Sequence, residues 1–389
     1  NGDDVAAVIR DHAARIGHVQ IADAPGRHEP GTGEIPFDAH FSALTAAGLL
    51  LVALPLAACT SSKPAEPAQQ GQPAGGATAA PTAPAASASS MAAPAKASKN
   101  YNLQFIQGVA GDEFYITMQC GMEAEAAKLG VSVKTQGAQK FDPTLQKPIL
   151  DSVAAGKPDA ILIAPTDVTA MQVPLNAAAE GGTKIVLVDT TVEDPSIAVS
   201  AIASDNEGGG RAAFEAIKQL NPNGGKVMVM SVNPGISTTD ARAKGFEDAV
   251  KEDSKFQYLG VQYSKNEPAI AANLIGSALQ KDPDLVGVFA ANLFSAEGTA
   301  TGVRQAGKQE QVKIVSFDAG PNQVKALKEG TVQALVAQQP ALIGQYGVDA
   351  AVTALEGGAP TPKVQTGFEI ITQDNVDGEG AAAIYKSSC

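Results

Sequence analysis

The stretch KPDAILIAPTDVTAMQVPLNAAAEGGTKIVLVDT, residues 157–190, decides the fold. Asp159–Ile163 is a short apolar strand, Thr169–Glu180 has helical spacing, and Lys184–Val188 is a second apolar strand. Strand, helix and strand over about 30 residues make one βαβ unit. Its strands end in Pro165, Thr166 and Asp167, and then in Asp189 and Thr190. In open α/β sheets, ligands sit at those carboxyl ends.

The same rhythm runs outward in both directions. Further strands are expected at Asn102–Gln107, Val131–Gln136, Ala198–Ala203, Lys226–Ser231 and Gln257–Gln262. Others follow at Leu285–Ala290, Lys313–Phe317, Val332–Ala337 and Thr366–Ile371. Helical patterns fill the gaps at Glu113–Leu129, Asp142–Ala155, Glu207–Leu220 and Asp240–Glu252. They continue at Pro268–Leu279, Glu297–Ala306, Asn322–Lys328 and Ala341–Leu355. Gly130 stops the first helix and Pro143 opens the second, as such residues do. Sustained alternation means parallel sheets covered by helices on both faces. About 11 such units exceed one comfortable sheet, so two Rossmann-like α/β lobes are expected.

The chain has 389 residues, 44% hydrophobic and 18% charged, which suits a globular protein with a real core. Its net charge of −13 repels phosphate backbones and argues against nucleic-acid binding or docking on anionic lipid. The four histidines, His12, His18, His28 and His40, all precede residue 41. The rest of the chain therefore lacks the commonest general base and metal ligand. Cys59, Cys120 and Cys389 are too few for a disulfide scaffold, and none of them pair at metal-ligand spacing. No metal, no cofactor and no enzymatic activity are expected of the body.

Polar residues gather where strands end. Asp112, Phe114 and Tyr115 follow the first strand, and Asp189 the fourth; Asn292, Asp318 and Gln338 end later strands. Carboxylates and amides pair with hydroxyls, and aromatic rings offer an apolar face. The set suits a polyhydroxylated ligand and contains no nucleophile–base pair.

Three segments precede the body. Residues 60–100 are dominated by Ala, Pro, Ser, Gly and Gln and read as a flexible tether. Residues 43–59, ALTAAGLLLVALPLAAC, are too short to span a membrane and suit a signal-peptide h-region. Leu56-Ala57-Ala58-Cys59 matches the lipobox of bacterial lipoproteins, which implies lipidation at Cys59. Glu34 and Asp38 stand where a basic n-region is expected. Residues 1–42 include HVQIADAPGRHEPGTGE, 18–34, which resembles hydroxypyruvate isomerase, a metal-dependent (β/α)8 barrel family. That resemblance puts Gln20 at a metal-ligand position and Arg27, His28 and Glu29 in an active-site loop. One βα unit cannot close such a barrel, so the fragment is not expected to be an independent domain. The expected origin is two reading frames joined near residues 43–48.

Residues 101–389 resemble the ribose-binding-protein family of type I periplasmic sugar-binding proteins. The matching strings are EAEAAKLG (123–130), IAPTD (163–167), ASDN (203–206), RAKGF (242–246), VFAAN (288–292), VSFD (315–318) and AQQP (337–340). The resemblance implies two lobes joined by a three-strand hinge and closing on a sugar. It implies lobe boundaries of 101–204 plus 339–367, and 205–338 plus 368–389. By position it implies ligand-binding roles for Asp112, Phe114, Tyr115, Asp189, Arg242, Asn292, Asp318 and Gln338. Two departures bear on ligand choice: Thr190 stands for a family arginine, and Asn266 is near the place of a second-lobe aromatic. The expectation is thus a sugar or polyol binder of altered specificity.

The implied partners are a small carbohydrate or polyol and the permease of an ABC importer. The implied state is a lipid-anchored monomer on the outer face of the cell membrane. Cys120 and Cys389 are expected to pair outside the cytoplasm. The competing readings are a sugar isomerase, resting on residues 1–42 alone, and a ligand-sensing domain of a regulator or chemoreceptor system.

Overall fold

The computed structural model describes Pro94 and residues 96–389. The readings on residues 1–42, on the 43–59 run with Cys59, and on most of the 60–100 linker lie outside the described residues.

In chain order the first elements are β1 (Asn102–Gln107), α1 (Glu113–Leu129), β2 (Ser132–Gly137), α2 (Pro143–Ala155) and β3 (Ala160–Ile163). Next come α3 (Gln172–Glu180), β4 (Lys184–Val188), β5 (Ser200–Ser204), α4 (Asn206–Leu220), β6 (Gly225–Ser231) and α5 (Ser237–Lys251). Then follow β7 (Phe256–Tyr263), α6 (Pro268–Lys281), β8 (Leu285–Ala290), α7 (Leu293–Gln305) and β9 (Lys313–Phe317). The chain ends with α8 (Pro321–Lys328), β10 (Ala334–Gln338), α9 (Pro340–Leu355), β11 (Lys363–Thr366) and β12 (Phe368–Ile371). A 3-10 turn, Glu379–Ala383, precedes the last residues.

The strands form two six-stranded sheets, ordered β11-β5-β4-β3-β1-β2 and β12-β10-β9-β8-β6-β7. Pairing is parallel except for β12, which runs antiparallel to β10. Each sheet carries helices on its faces, which is the two-lobed α/β architecture expected. Central strands such as β3 (AILI) are buried along their whole length, as parallel strands covered on both faces must be. Strand β2 lies at an edge and alternates exposed and half-buried residues.

Helices α1 and α9 approach so closely that only glycine fits between them. A Cβ on Gly121 would stand 2.1 Å from the Ala341 carbonyl oxygen, and one on Gly344 would stand 2.2 Å from that of Met118. The second sheet is clad by an aromatic cluster in which Phe246 and Phe289 stack at 5.3 Å and Phe214 meets Phe256 edge-on at 5.1 Å.

The chain crosses between sheets at Ser204–Asn206, at Gln338–Pro340 and at Thr366–Phe368. These crossings are stitched together. Ser204 Oγ donates to Gln338 Oε1 at 2.7 Å, and Asp205 N–H donates to the Thr366 carbonyl at 2.9 Å. The late strand read as Thr366–Ile371 is corrected here. It is two strands in two sheets, and the break at Gly367 lets the chain change direction.

Candidate functional site

Between the sheets, at the carboxyl ends of their strands, lies a cleft with about 410 Å³ of empty volume. Nine of the ten expected ligand residues line it: Asp112, Phe114, Tyr115, Asp189, Arg242, Asn266, Asn292, Asp318 and Gln338. Thr190 is the exception. Its hydroxyl donates to the Pro165 carbonyl at 2.7 Å, and it does not line this cleft.

Local structure aims each side chain. Asp112 caps α1, accepting from Phe114 N–H at 2.8 Å, and so fixes the two aromatic residues in the helix's first turn. Phe114 and Tyr115 meet edge-on, with ring centroids 5.2 Å apart. Asn292 caps α7 through Ser295 N–H. Asp189, Asp318 and Asn266 all adopt left-handed backbone, at φ 64°, 77° and 60°. Asn and Asp tolerate that region better than other side chains, yet such residues still cost roughly 1–3 kcal/mol each. Such strain clusters at functional sites.

Hydrogen bonds then lock the set. Tyr115 Oη donates to Asp189 Oδ2 at 2.8 Å. Arg242 is 3% exposed: its Nε donates to Asn206 Oδ1 and its Nη1 to the Ala291 carbonyl, each at 2.8 Å, and it lies 3.8 Å above the Phe317 ring. Asp318 accepts from Leu293 N–H at 3.1 Å, from Gln338 Nε2 at 2.7 Å and from Tyr385 Oη at 3.1 Å. Asn292 Nδ2 donates to Asn266 Oδ1 at 2.7 Å.

Three buried carboxyls, Asp112, Asp189 and Asp318, line the cleft with one guanidinium, and burial shapes the titration of the first two. Desolvation, then the neighbouring Asp318 charge, holds Asp112 well above the usual carboxylate range. Burial pushes Asp189 up to about 6, with Arg242 and the Tyr115 hydroxyl pulling the other way. Protonated carboxyls donate as well as accept, which widens the pairing open to a ligand's hydroxyls.

Sequence reasoning missed Phe141, Val232, Ile236, Thr238 and Thr239, which also line the cleft. The first three supply apolar wall. Thr239 is the informative one, because its Oγ1 is buried without a hydrogen-bond partner. Such an atom costs about 1–3 kcal/mol unless something satisfies it.

Contacts cross the mouth of the cleft. Val168 N–H donates to the Gly235 carbonyl at 3.2 Å, Thr191 N–H to Ser237 Oγ at 3.0 Å, and Lys140 Nζ to Glu267 Oε1 at 2.9 Å. The cleft is therefore roofed on one side by the joined lobes.

At the far side of α1, Cys120 is bonded to Cys389, with their Cα atoms 5.3 Å apart. The end of the chain, past β12 of the second sheet, is thereby bonded to α1, which follows β1 of the first sheet.

Residues 103–359 match the family described as periplasmic binding protein domain. An ABC transporter solute-binding protein from Agrobacterium vitis, solved with α-D-tagatopyranose, is 41% identical with a TM-score of 0.72, covering 74% of this chain and 100% of that one. A second from the same organism, solved with D-fucose, is 28% identical with a TM-score of 0.70, covering 73% and 100%. The ribose import binding protein of Bacillus subtilis is 28% identical over 275 residues, 71% of this chain and 88% of that protein.

Proposed function

Because the chain belongs to the periplasmic binding protein domain family, in its ribose-binding-like branch, we propose that it captures a small sugar or polyol and hands it to an ABC importer. It is a binding protein and not an enzyme. One observation carries the ligand class: the cleft joins carboxyls, amides and a guanidinium with apolar wall, and leaves the buried Thr239 hydroxyl unmatched. Ring hydroxyls offer the donors and acceptors that such a site asks for.

The lobes are assigned as 101–204 plus 339–367 and 205–338 plus 368–389, closing about the stitched crossings. Asp112, Asp189, Arg242, Asn266, Asn292, Asp318 and Gln338 pair with hydroxyls, while Phe114 and Tyr115 bound the ring. With no second arginine beside Asp189 and no aromatic at Asn266, the preferred ligand differs from ribose. Cys59 carries a lipid and residues 60–100 act as a tether, so the body works outside the cytoplasm as a monomer beside its permease.

A thermal-shift screen of the full chain tests this reading. The panel holds D-tagatose, D-fucose, D-ribose, D-allose, pentitols and inositols. A ligand at a hundredfold excess over Kd stabilises by about 2.7 kcal/mol, which is readily seen as a rise in melting temperature. At least one member is expected to shift the transition. No shift with any of them defeats the sugar reading.

A further inference from the structure

We propose that the last residues, 384–389, form a strap that holds Asp318 and Gln338 in position for the ligand, with Tyr385 as its positioning residue. The proposal rests on the sugar-capture reading above.

The strap leaves the second lobe after the 3-10 turn Glu379–Ala383. Tyr385 N–H then donates to the Ala319 carbonyl at 3.0 Å, beside the end of β9. The Tyr385 ring is only 4% exposed, and its centroid lies 5.9 Å from that of Phe114 in the first turn of α1. Its hydroxyl has two partners. It donates to Asp318 Oδ1 at 3.1 Å and accepts the backbone N–H of Gln338 at 2.9 Å. One buried oxygen thus ties the ends of β9 and β10 together behind the cleft.

The geometry explains why this matters for a ligand. An ionised carboxylate has about four lone-pair sites. The protein fills three on Asp318, through Leu293 N–H, Gln338 Nε2 and Tyr385 Oη. The remaining one is aimed by the other three. Asp318 also sits in left-handed backbone, a conformation that persists only when its surroundings over-determine it. Removing Tyr385 Oη loosens both the carboxylate and the amide bonded to it.

Past Tyr385, the strap crosses to the first lobe. Lys386 N–H donates to Thr117 Oγ1 on α1 at 2.7 Å, and Cys389 is joined covalently to Cys120 of the same helix. This tail is a further crossing between lobes, beside those at the hinge. It is the only one of them closed by a disulfide among the described residues. A covalent tie between a C-terminal segment of one lobe and a helix of the other limits how far the lobes part.

The test uses the full chain and calorimetric titration with the strongest binder among D-tagatose, D-fucose, D-ribose, D-allose, the pentitols and the inositols. Tyr385→Phe keeps the ring and deletes the oxygen. Its Kd is expected to rise about tenfold, the loss typical of a hydrogen bond to a charged group. Its unliganded melting temperature is expected to fall by no more than about 4 °C. In the Cys120→Ser/Cys389→Ser double variant, small-angle scattering should show a larger unliganded radius of gyration and an unchanged liganded one. A Kd within twofold of wild type in Tyr385→Phe overturns the positioning role, whatever its melting temperature does. An unliganded radius equal to wild type in the double variant overturns the strap. If the wild type binds no sugar or polyol of the panel, the capture reading falls first and takes this inference with it.

Discussion

Asp189 holds a left-handed backbone, accepts from Tyr115 and is pushed up to about 6 by burial. A ligand hydroxyl donating to its carboxylate favours the charged form and lowers that value on binding. Binding therefore releases a proton below about pH 6, and affinity falls as pH drops through that value, by at most about tenfold per unit. Titration calorimetry from pH 5 to 8 should show this fall, and Asp189→Asn should flatten it. A pH-independent Kd in the wild type would refute the role. Thr239 gives a second test, in which stability and affinity separate. Thr239→Val removes a buried, unpartnered hydroxyl at constant shape, so unliganded stability should hold or rise by about 1 kcal/mol. Ligand affinity should fall about tenfold over the same change, measured by chemical denaturation beside calorimetry. A variant that loses stability and keeps its affinity would show that the hydroxyl serves the fold.

Residue by residue, the strand-end part of the cleft was legible because parallel strands present their last polar side chains there. Thr238 and Thr239 were not, because they sit on α5, whose start was read at Asp240. The helix begins at Ser237 after Ile236, which makes no side-chain cap, so the usual start signal is missing. Thr190 was placed by resemblance to an arginine position. A short hydroxyl there reaches the Pro165 carbonyl instead of the cleft. Tyr385 went unseen because nothing local in the sequence of the tail reports the end of β9 beside it.

Among the elements, the packing of α1 against α9 carries its own titration. Asp349 on α9 is 4% exposed, its Oδ1 has no hydrogen-bond partner, and Glu125 and Lys128 face it from α1. Burial, then the Glu125 charge, pushes Asp349 up to about 7, with Lys128 opposing. The folded value lies above the unfolded one, so protonation favours the fold. The stabilisation is complete below about pH 4 and is lost as pH rises through about 7. Melting temperature should fall between pH 5.5 and 8, and Asp349→Asn should flatten that fall and melt higher than wild type at pH 8. An Asp349→Asn profile parallel to wild type would contradict this. The same pair of helices explains a limit of the sequence: Gly121 and Gly344 lie inside helical patterns and cost stability in isolation, and only the close approach of the two backbones gives a reason for them. Gly344→Ala should lower the melting temperature by several degrees, since the added carbon meets the Met118 carbonyl oxygen. The β11 and β12 strands show the converse: a continuous β-rich run hides a change of sheet, because local propensity is blind to which sheet a strand joins.

For the whole molecule, alternation of strands and helices made the two lobes legible, and the cleft follows from where their strand ends face each other. The contacts across the mouth are of modest strength. Lys140–Glu267 is exposed on both sides, so Lys140→Ala should weaken binding only severalfold, with the difference fading at high salt. The central claim is that one carbohydrate per chain occupies the cleft between the lobes. Calorimetric titration of the screen's strongest sugar or polyol into wild type, Asp189→Ala and Asn292→Ala measures this most directly. The account predicts a one-to-one complex with wild type and a Kd at least about tenfold weaker in each variant. Equal affinity in all three would place the ligand elsewhere and contradict it.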